Sequence, residues 1–276
     1  MTDTPTTPRP ALRFSIEDGI AVVTLDRPDK LNSLNPELVC RLADAWDTIA
    51  ADPAVRVAIV TGAGDRAFCT GADLGRLIPL FTRARPADDE WDERLLADHT
   101  LLDRALLRRT DFTVPVIAAV RGFALAGGTE LMLGTDLRIA ADDSEFGLTE
   151  VSRGIIPGGG GLARLARQVP WARAAEIVLV GDRIDARTAL DIGLVNRIVP
   201  ADDVIDVSMQ FARRMARNGP LAMRAAKEVM VTSNGRPLDE AFTNESRVAA
   251  RVMRSADAIE GPRAFIEKRD PRFTGT

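Results

Sequence analysis

One glutamate stands where a charge is costly. Glu130 interrupts the otherwise uncharged decapeptide ALAGGTELML (124–133), and Glu150 closes FGLTE (146–150). A carboxylate in apolar surroundings must be hydrogen-bonded, reached by water, or held protonated by a raised pKa. Two carboxyls sharing one apolar pocket can divide these states, one ionised to accept a proton and one protonated to give it. Glycine-rich stretches accompany them: TGAGDRAF (61–68), CTGADL (69–74), LAGGTE (125–130) and IPGGGGLARL (156–165). Glycine lets a backbone N–H approach a ligand closely, and the first N–H groups of a helix have no partner within it. CTGADL and LAGGTE each read as a loop entering a helix and so each offers one such donor. Two converging donors stabilise negative charge developing on a carbonyl oxygen. Proton transfer beside an activated carbonyl is the chemistry these residue types describe.

Competing readings of the same residues are specific. IPGGGGLARL lacks the Gly-Lys-Ser/Thr ending of a phosphate-binding loop, and TGAGDRAF lacks a complete dinucleotide fingerprint. Taken alone, Glu130 also fits a partly exposed helix residue, and Glu150 a strand-end carboxylate. Asp73 suits a helix start, its side chain capping backbone N–H groups. Asp142, Asp143 and Glu145 read as a solvated turn, and His99, the single histidine, as a surface or packing residue. Cys69 suits a small packed residue better than a nucleophile. Arg76, Arg83 and Arg85 read as a solvated face that could also meet a polar acyl group or phosphates. The chain has 33 arginines but only Lys30, Lys227 and Lys268 as lysines, a bias that genomic composition explains.

The elements that must hold these residues follow from hydrophobic periodicity. IAVVTL (20–25), VRVAIVTG (55–62) and PVIAAVRG (115–122) read as strands, with shorter ones at DLRIAA (136–141) and LVNRIVP (194–200). After Asn35 as N-cap and Pro36 as first helical residue, Leu38, Leu42, Ala45, Trp46 and Ile49 mark one face of a helix. Further helices open at AGGTE and at PGGGG. Residues 76–111 read as an exposed loop followed by a helix around RLLADHTLLDRALLRR. From 201 onward the pattern is nearly continuous helix, broken by Gly, Pro or Asn. The expected organisation is a tail at 1–12, an α/β core with much parallel pairing at 13–200, and a helical region at 201–276 that caps the core or makes an oligomer interface.

Composition bounds the rest. With 276 residues, 46% of them apolar and 28% charged, the chain suits one large globular domain, alone or with a helical appendage. A formal charge of −4 and the lack of aromatic-basic clusters count against nucleic acid and anionic membrane as partners. Cys40 and Cys69 form neither a disulfide framework nor a metal-ligand pattern. The N-terminus MTDTPTTPRP has no signal-peptide pattern, and no apolar run approaches the roughly 20 residues needed to span a bilayer. A soluble cytoplasmic protein is the expectation.

Three stretches carry a resemblance: AFCTGADL (67–74), VRGFALAGGTELMLGTDLRIA (120–140) and FGLTEVSRGIIPGGGGLARL (146–165). In this order and spacing the chain resembles the crotonase superfamily, the enoyl-CoA hydratase/isomerase family, from GIAVVTLDRPDKLNSLN to AFIEKRDPRF. The resemblance implies a spiral of β-β-α repeats with a C-terminal helical region, and trimers often paired into hexamers. It implies that the backbone N–H groups of Ala72 and Gly127 form an oxyanion hole for a thioester carbonyl. Glu130 would activate the water that attacks C3 of a 2-enoyl thioester, and Glu150 would supply the proton to C2. Gly158 would line the same site. Lys30, Leu31, Asp73 and Leu74 fall where the family grips coenzyme A, and Lys268 where a basic residue often meets CoA phosphate, sometimes that of a neighbouring subunit. Thr149 stands where many hydratases of the family have proline. The segment around 76–111, His99 included, lines the acyl pocket in the family.

The reading is therefore an enoyl-CoA hydratase acting on an acyl-CoA thioester, with no metal and no cofactor beyond the coenzyme A of its substrate. The alternative on the same fold is Δ3–Δ2 isomerisation or another thioester-enolate reaction, which can run on one glutamate. The alternative from another class is a non-catalytic CoA-ester or RNA binder.

Overall fold

The computed structural model describes residues 9–276. Of the expected tail, residues 1–8 lie outside the described residues, and residues 9–12 correct the expectation. The Ala11 N–H donates to Glu37 Oε1 at 3.2 Å, its carbonyl accepts from Asp26 N at 2.8 Å, and Leu12 begins the first strand.

In chain order come β1 (Leu12–Glu17), β2 (Ile20–Leu25), α1 (Pro36–Ala51), β3 (Val57–Gly62), β4 (Ala67–Cys69), α2 (Leu77–Phe81), α3 (Glu90–Ala97) and α4 (Leu101–Ala105). Then follow β5 (Val116–Val120), β6 (Phe123–Leu125), α5 (Gly127–Leu133), β7 (Leu137–Ala141), β8 (Glu145–Gly147), α6 (Gly161–Gln168) and α7 (Trp171–Val180). The chain continues through β9 (Ile184–Asp185), α8 (Ala186–Asp191), β10 (Arg197–Val199), α9 (Val204–Ala216), α10 (Pro220–Ser233), α11 (Leu238–Val252) and α12 (Ala256–Ile266).

Two sheets organise the α/β part. One runs β1-β2-β3-β5-β7-β10 and is parallel except for the antiparallel β1–β2 hairpin; the other runs β4-β6-β8-β9. The central strands β3 and β5 of the larger sheet are apolar on both faces because both are covered. Val57, Ile59, Ile117 and Ile139 face Val204 and Ala212 of α9, while Ala58, Val60, Val116 and Ala118 face the main core. Helix α1 buries Leu38, Leu42, Ala45, Trp46 and Ile49 in that core, and Asn35 caps it by accepting from Leu38 N at 3.0 Å. Trp46 also donates from Nε1 to the Ala105 carbonyl at 3.0 Å, tying α1 to α4. Among the described residues, no helix is long and apolar enough to cross a membrane.

Two local expectations change. Residues 76–111 hold three short helices in place of a loop and one helix. Asp89 caps α3 by accepting from Asp92 N at 2.8 Å, and Asp98 ends it by accepting from Thr100 N at 2.9 Å and Thr100 Oγ1 at 2.6 Å. Such side-chain competition for backbone N–H groups is what breaks a helix at aspartate. CTGADL does not enter a helix directly. Asp73 Oδ1 accepts from Gly75 N at 3.0 Å, a local turn, and α2 starts only at Leu77. The short strands β4, β6, β8 and β9 were not marked by periodicity.

Candidate active site

A cavity of about 750 Å³ opens between β6 of the smaller sheet, α2, α4 and the start of α5. Leu77, Ile78, Phe81, Leu102 and Leu106 give it an apolar side. Ala72, Gly127, Glu130 and Glu150 line it together.

The two backbone donors reach the cavity for different reasons. Leu34 N donates to Gly71 O at 2.8 Å and Asp73 N donates to Leu34 O at 2.9 Å. This parallel bridge uses the groups on either side of Ala72 and turns the Ala72 N–H away from Leu34. Gly127 is the first residue of α5, so its N–H has no partner within the helix. Glycines bring the two loops together. Gly71 has φ +87°, and a Cβ on it would stand 2.6 Å from Ala126 Cβ. A Cβ on Gly128 would stand 2.1 Å from the Cys69 carbonyl oxygen, so only glycine fits there. Thr129 anchors the same turn, donating to Ala124 O at 2.6 Å.

Glu130 is 4% exposed, on the first turn of α5. Its Oε1 accepts from Gly159 N at 2.7 Å and from Gly161 N, the first residue of α6, at 2.8 Å. Burial raises its pKa, and those two N–H donors, with the charges of Arg164 and Arg108, oppose the rise by favouring the carboxylate. Glu150 opens a 3-10 turn (Glu150–Arg153) and is 7% exposed. Its buried Oε2 has no hydrogen-bond partner among the described residues. Burial pushes its pKa up to about 7, the nearby Glu130 charge adds to the rise, and its own N–H and Arg153 act against it. Burial raises both carboxyls, but Glu130 has two N–H donors on one oxygen that favour its ionised form, whereas the buried Oε2 of Glu150 has none.

Lys30, Leu31, Asp73, Leu74 and Gly158 also line the cavity. Asp73 is tied down as well: its Oδ2 meets Arg27 Nη2 at 2.9 Å. Lys268 is not brought there. It follows α12 with φ +54°, outside the cavity of its own chain. His99 is exposed in the break between α3 and α4, and Cys69 is fully buried, its thiol pushed up to about 12 by burial. Arg76 and Arg85 turn to Asp88, Asp89 and Asp92 within their own segment and away from the cavity. Sequence reasoning missed Gly159 and Gly161 as partners of Glu130; the available signal was a glycine run directly before a helix. It also missed Arg153, which follows Glu150 on the same turn and lines the cavity.

A family model described as enoyl-CoA hydratase/isomerase matches residues 15–276. The chain is 38% identical over 252 residues to enoyl-CoA hydratase EchA19 of Mycobacterium tuberculosis, covering 91% of this chain and 92% of that one. It is 35% identical over 262 residues to the (E)-benzylidenesuccinyl-CoA hydratase of Thauera aromatica, covering 95% and 98%. Its structure is similar to the crystal structure of an enoyl-CoA hydratase from Mycobacterium tuberculosis, with a TM-score of 0.86, 39% identity, and coverage of 97% of this chain and 100% of that one.

Proposed function

Because this chain belongs to the enoyl-CoA hydratase/isomerase family, we propose that it catalyses the reversible addition of water to a 2-enoyl-CoA, giving a 3-hydroxyacyl-CoA. The observation that carries this reading is the unlike pair of carboxyls on one cavity. Glu130 holds two N–H donors on one oxygen, and Glu150 holds a buried oxygen with none. An isomerase needs one group to move a proton within its substrate, whereas hydration needs one to take a proton and another to give one.

In the forward direction the thioester oxygen lies between the Ala72 and Gly127 N–H groups. Glu130 takes a proton from water as the water oxygen bonds to C3. The C2–C3 π electrons move toward the thioester, and the two N–H groups stabilise the charge arriving on its oxygen. Glu150 delivers its proton to C2. Water has then been added in full, Glu130 is protonated and Glu150 ionised. Proton exchange with solvent resets the pair after product leaves. Coenzyme A enters as part of the substrate, with Lys30, Leu31, Asp73 and Leu74 on its side of the cavity. The names of the three hydratases reported above support hydration chemistry.

The test is loss of the conjugated enoyl-thioester absorbance on mixing with crotonyl-CoA and longer 2-enoyl-CoAs. Measurable CoA-ester binding with no turnover at any chain length would overturn the hydratase reading in favour of a binding protein. Turnover of 3-enoyl-CoA to 2-enoyl-CoA without hydration would establish the isomerase alternative.

A further inference from the structure

We infer that Arg164 is the positioning residue for Glu130: its guanidinium locks the end of α4 to the start of α6, and with it the two N–H groups that aim the carboxylate. The inference rests on the proton-transfer role given to Glu130 above. Three helix ends meet at this side chain. The Arg164 N–H donates to the Gly160 carbonyl at 3.0 Å and closes the first turn of α6. On either side of Gly160 stand Gly159 and Gly161, the two donors to Glu130 Oε1. The Arg164 side chain reaches the end of α4, where Nη1 donates to the Leu106 carbonyl at 3.1 Å and Nη2 to the Leu107 carbonyl. Leu106 caps α4, so its carbonyl has no donor within that helix. Leu107 then turns the chain at φ +52°, a conformation that a residue other than glycine keeps only where its surroundings fix it. The third end is that of α5, the helix of Glu130: a Cβ on Gly134, which closes α5, would stand 2.9 Å from Arg164 Nη1.

Leu106 carries the link to the acyl side of the cavity. It lines the cavity with Leu102, and a Cβ on Gly159 would stand 2.2 Å from its Cδ1, so the wall packs directly on a donor to Glu130. Arg164 joins the same two segments a second time, by hydrogen bonds. Its charge adds to its donors. Burial raises the Glu130 pKa, and the N–H groups of Gly161 and Gly159, then the charges of Arg164 and Arg108, oppose the rise. Arg108 is the weaker of the two cations because its side chain is 53% exposed and paired with Asp103 at 3.0 Å. Among the described residues Arg164 has no ion pair. The other acids that bear on it are engaged elsewhere, Asp103 with Arg108 and Asp136 with Lys227 at 2.7 Å. Glu150 is the acid coupled to Glu130, and it feels the Glu130 charge as a further rise in its own pKa. A guanidinium fixed by two carbonyls therefore sets both where the base points and how firmly it stays ionised.

The experiment reads the Glu130 carboxyl directly, by NMR titration of protein carrying isotope-labelled glutamate carboxyls, without substrate. Its signal is the one lost in Glu130→Gln. Arg164→Gln and Arg164→Lys each keep a donor for the Leu106 carbonyl and differ in charge. Glu130 is expected to titrate at higher pH in Arg164→Gln than in wild type, and close to wild type in Arg164→Lys and in Arg108→Gln. With crotonyl-CoA, Arg164→Gln is expected to lower kcat about tenfold or more with little change in KM, the cost of a displaced catalytic group, and Arg164→Lys to recover part of it. Gly134→Ala crowds Nη1 with every charge retained and serves if Arg164→Gln does not fold: its kcat is expected to fall in the same way, and a wild-type kcat overturns the inference. An unmoved Glu130 titration in Arg164→Gln, or an equal shift in Arg108→Gln, overturns it too, as does a loss confined to KM. If wild-type protein hydrates no enoyl-CoA while the Glu130 titration still follows the Arg164 charge, the hydratase reading falls and this inference stands.

Discussion

The Oε1 atom of Glu130 lies 2.8 Å from the backbone nitrogen of Gly161, so the acid of one helix rests on the start of another. The contact favours the ionised carboxylate against the rise that burial imposes and aims it in one direction. Glu130→Gln preserves an oxygen acceptor at that position but removes the base. Glu150→Gln removes the proton that the proposed hydration delivers to C2. Each is expected to lower kcat for hydration by about 10²-fold or more, the contribution of a positioned acid or base. Steady-state kinetics with crotonyl-CoA checks both, and near wild-type turnover by either variant removes that residue from the mechanism.

Two neighbouring glycines should respond in opposite ways to the same substitution. A Cβ on Gly158 meets nothing within 4 Å, so Gly158→Ala should fold with an unchanged Tm and act only on KM. A Cβ on Gly159 would stand 2.2 Å from Leu106 Cδ1 and 2.9 Å from Glu130 Oε2. Gly159→Ala should therefore move the carboxylate, and small displacements of a catalytic group cost up to about 10²-fold in rate. Equal kcat values for the two variants would contradict the packing described here.

The acid/base pair sets a pH profile. Hydration needs Glu150 protonated, and with its pKa near 7 the rate should fall as pH rises through about 7. It should fall again on the acid side as Glu130 takes a proton, giving a bell whose limbs belong to the coupled pair. The same shift bears on stability. The folded pKa of Glu150 lies above its ordinary 4.5, so the folded state binds the proton more tightly. That stabilisation is fully present below pH 4.5 and is lost as pH rises to about 7. Glu150→Gln should gain Tm over wild type across that window. A Tm difference independent of pH would mean that Glu150 is not held in its protonated form by burial.

The sequence carried the elements with long apolar periods and the residues whose types are out of place. IAVVTL and the α1 face lie where periodicity and the Asn35 cap put them, and helices open at Gly127 and Gly161 within the glycine-rich stretches. The strands β4, β6, β8 and β9 are two or three residues long, too short for alternation to register. Glu130 was legible as an anomaly, a charge among apolar residues. Its partners Gly159 and Gly161 were not, because a hydrogen bond spanning 29 or 31 residues is decided by how α5 and α6 pack. Ala72 was readable as a donor only through its motif; the reason its N–H is free is the bridge between Leu34 and Ala72, a tertiary contact.

The remaining expectation, self-association, has a physical basis in the C-terminal helices. Phe265 is 84% exposed, Ile266 79% and Met253 73%, more apolar surface than an isolated helical face normally leaves to water. Lys268 lies two residues beyond Ile266 and outside the cavity of its own chain. A trimer or hexamer covering these residues would explain both facts if Lys268 reaches the CoA end of a neighbour's site. Phe265→Asp is then expected to lower the mass seen by light scattering, and Lys268→Ala to leave the mass unchanged. Both should raise KM for CoA esters more than they lower kcat. A wild-type chain that is monomeric and fully active at micromolar concentration would show that the exposed helices serve another purpose and that Lys268 has no part in the site.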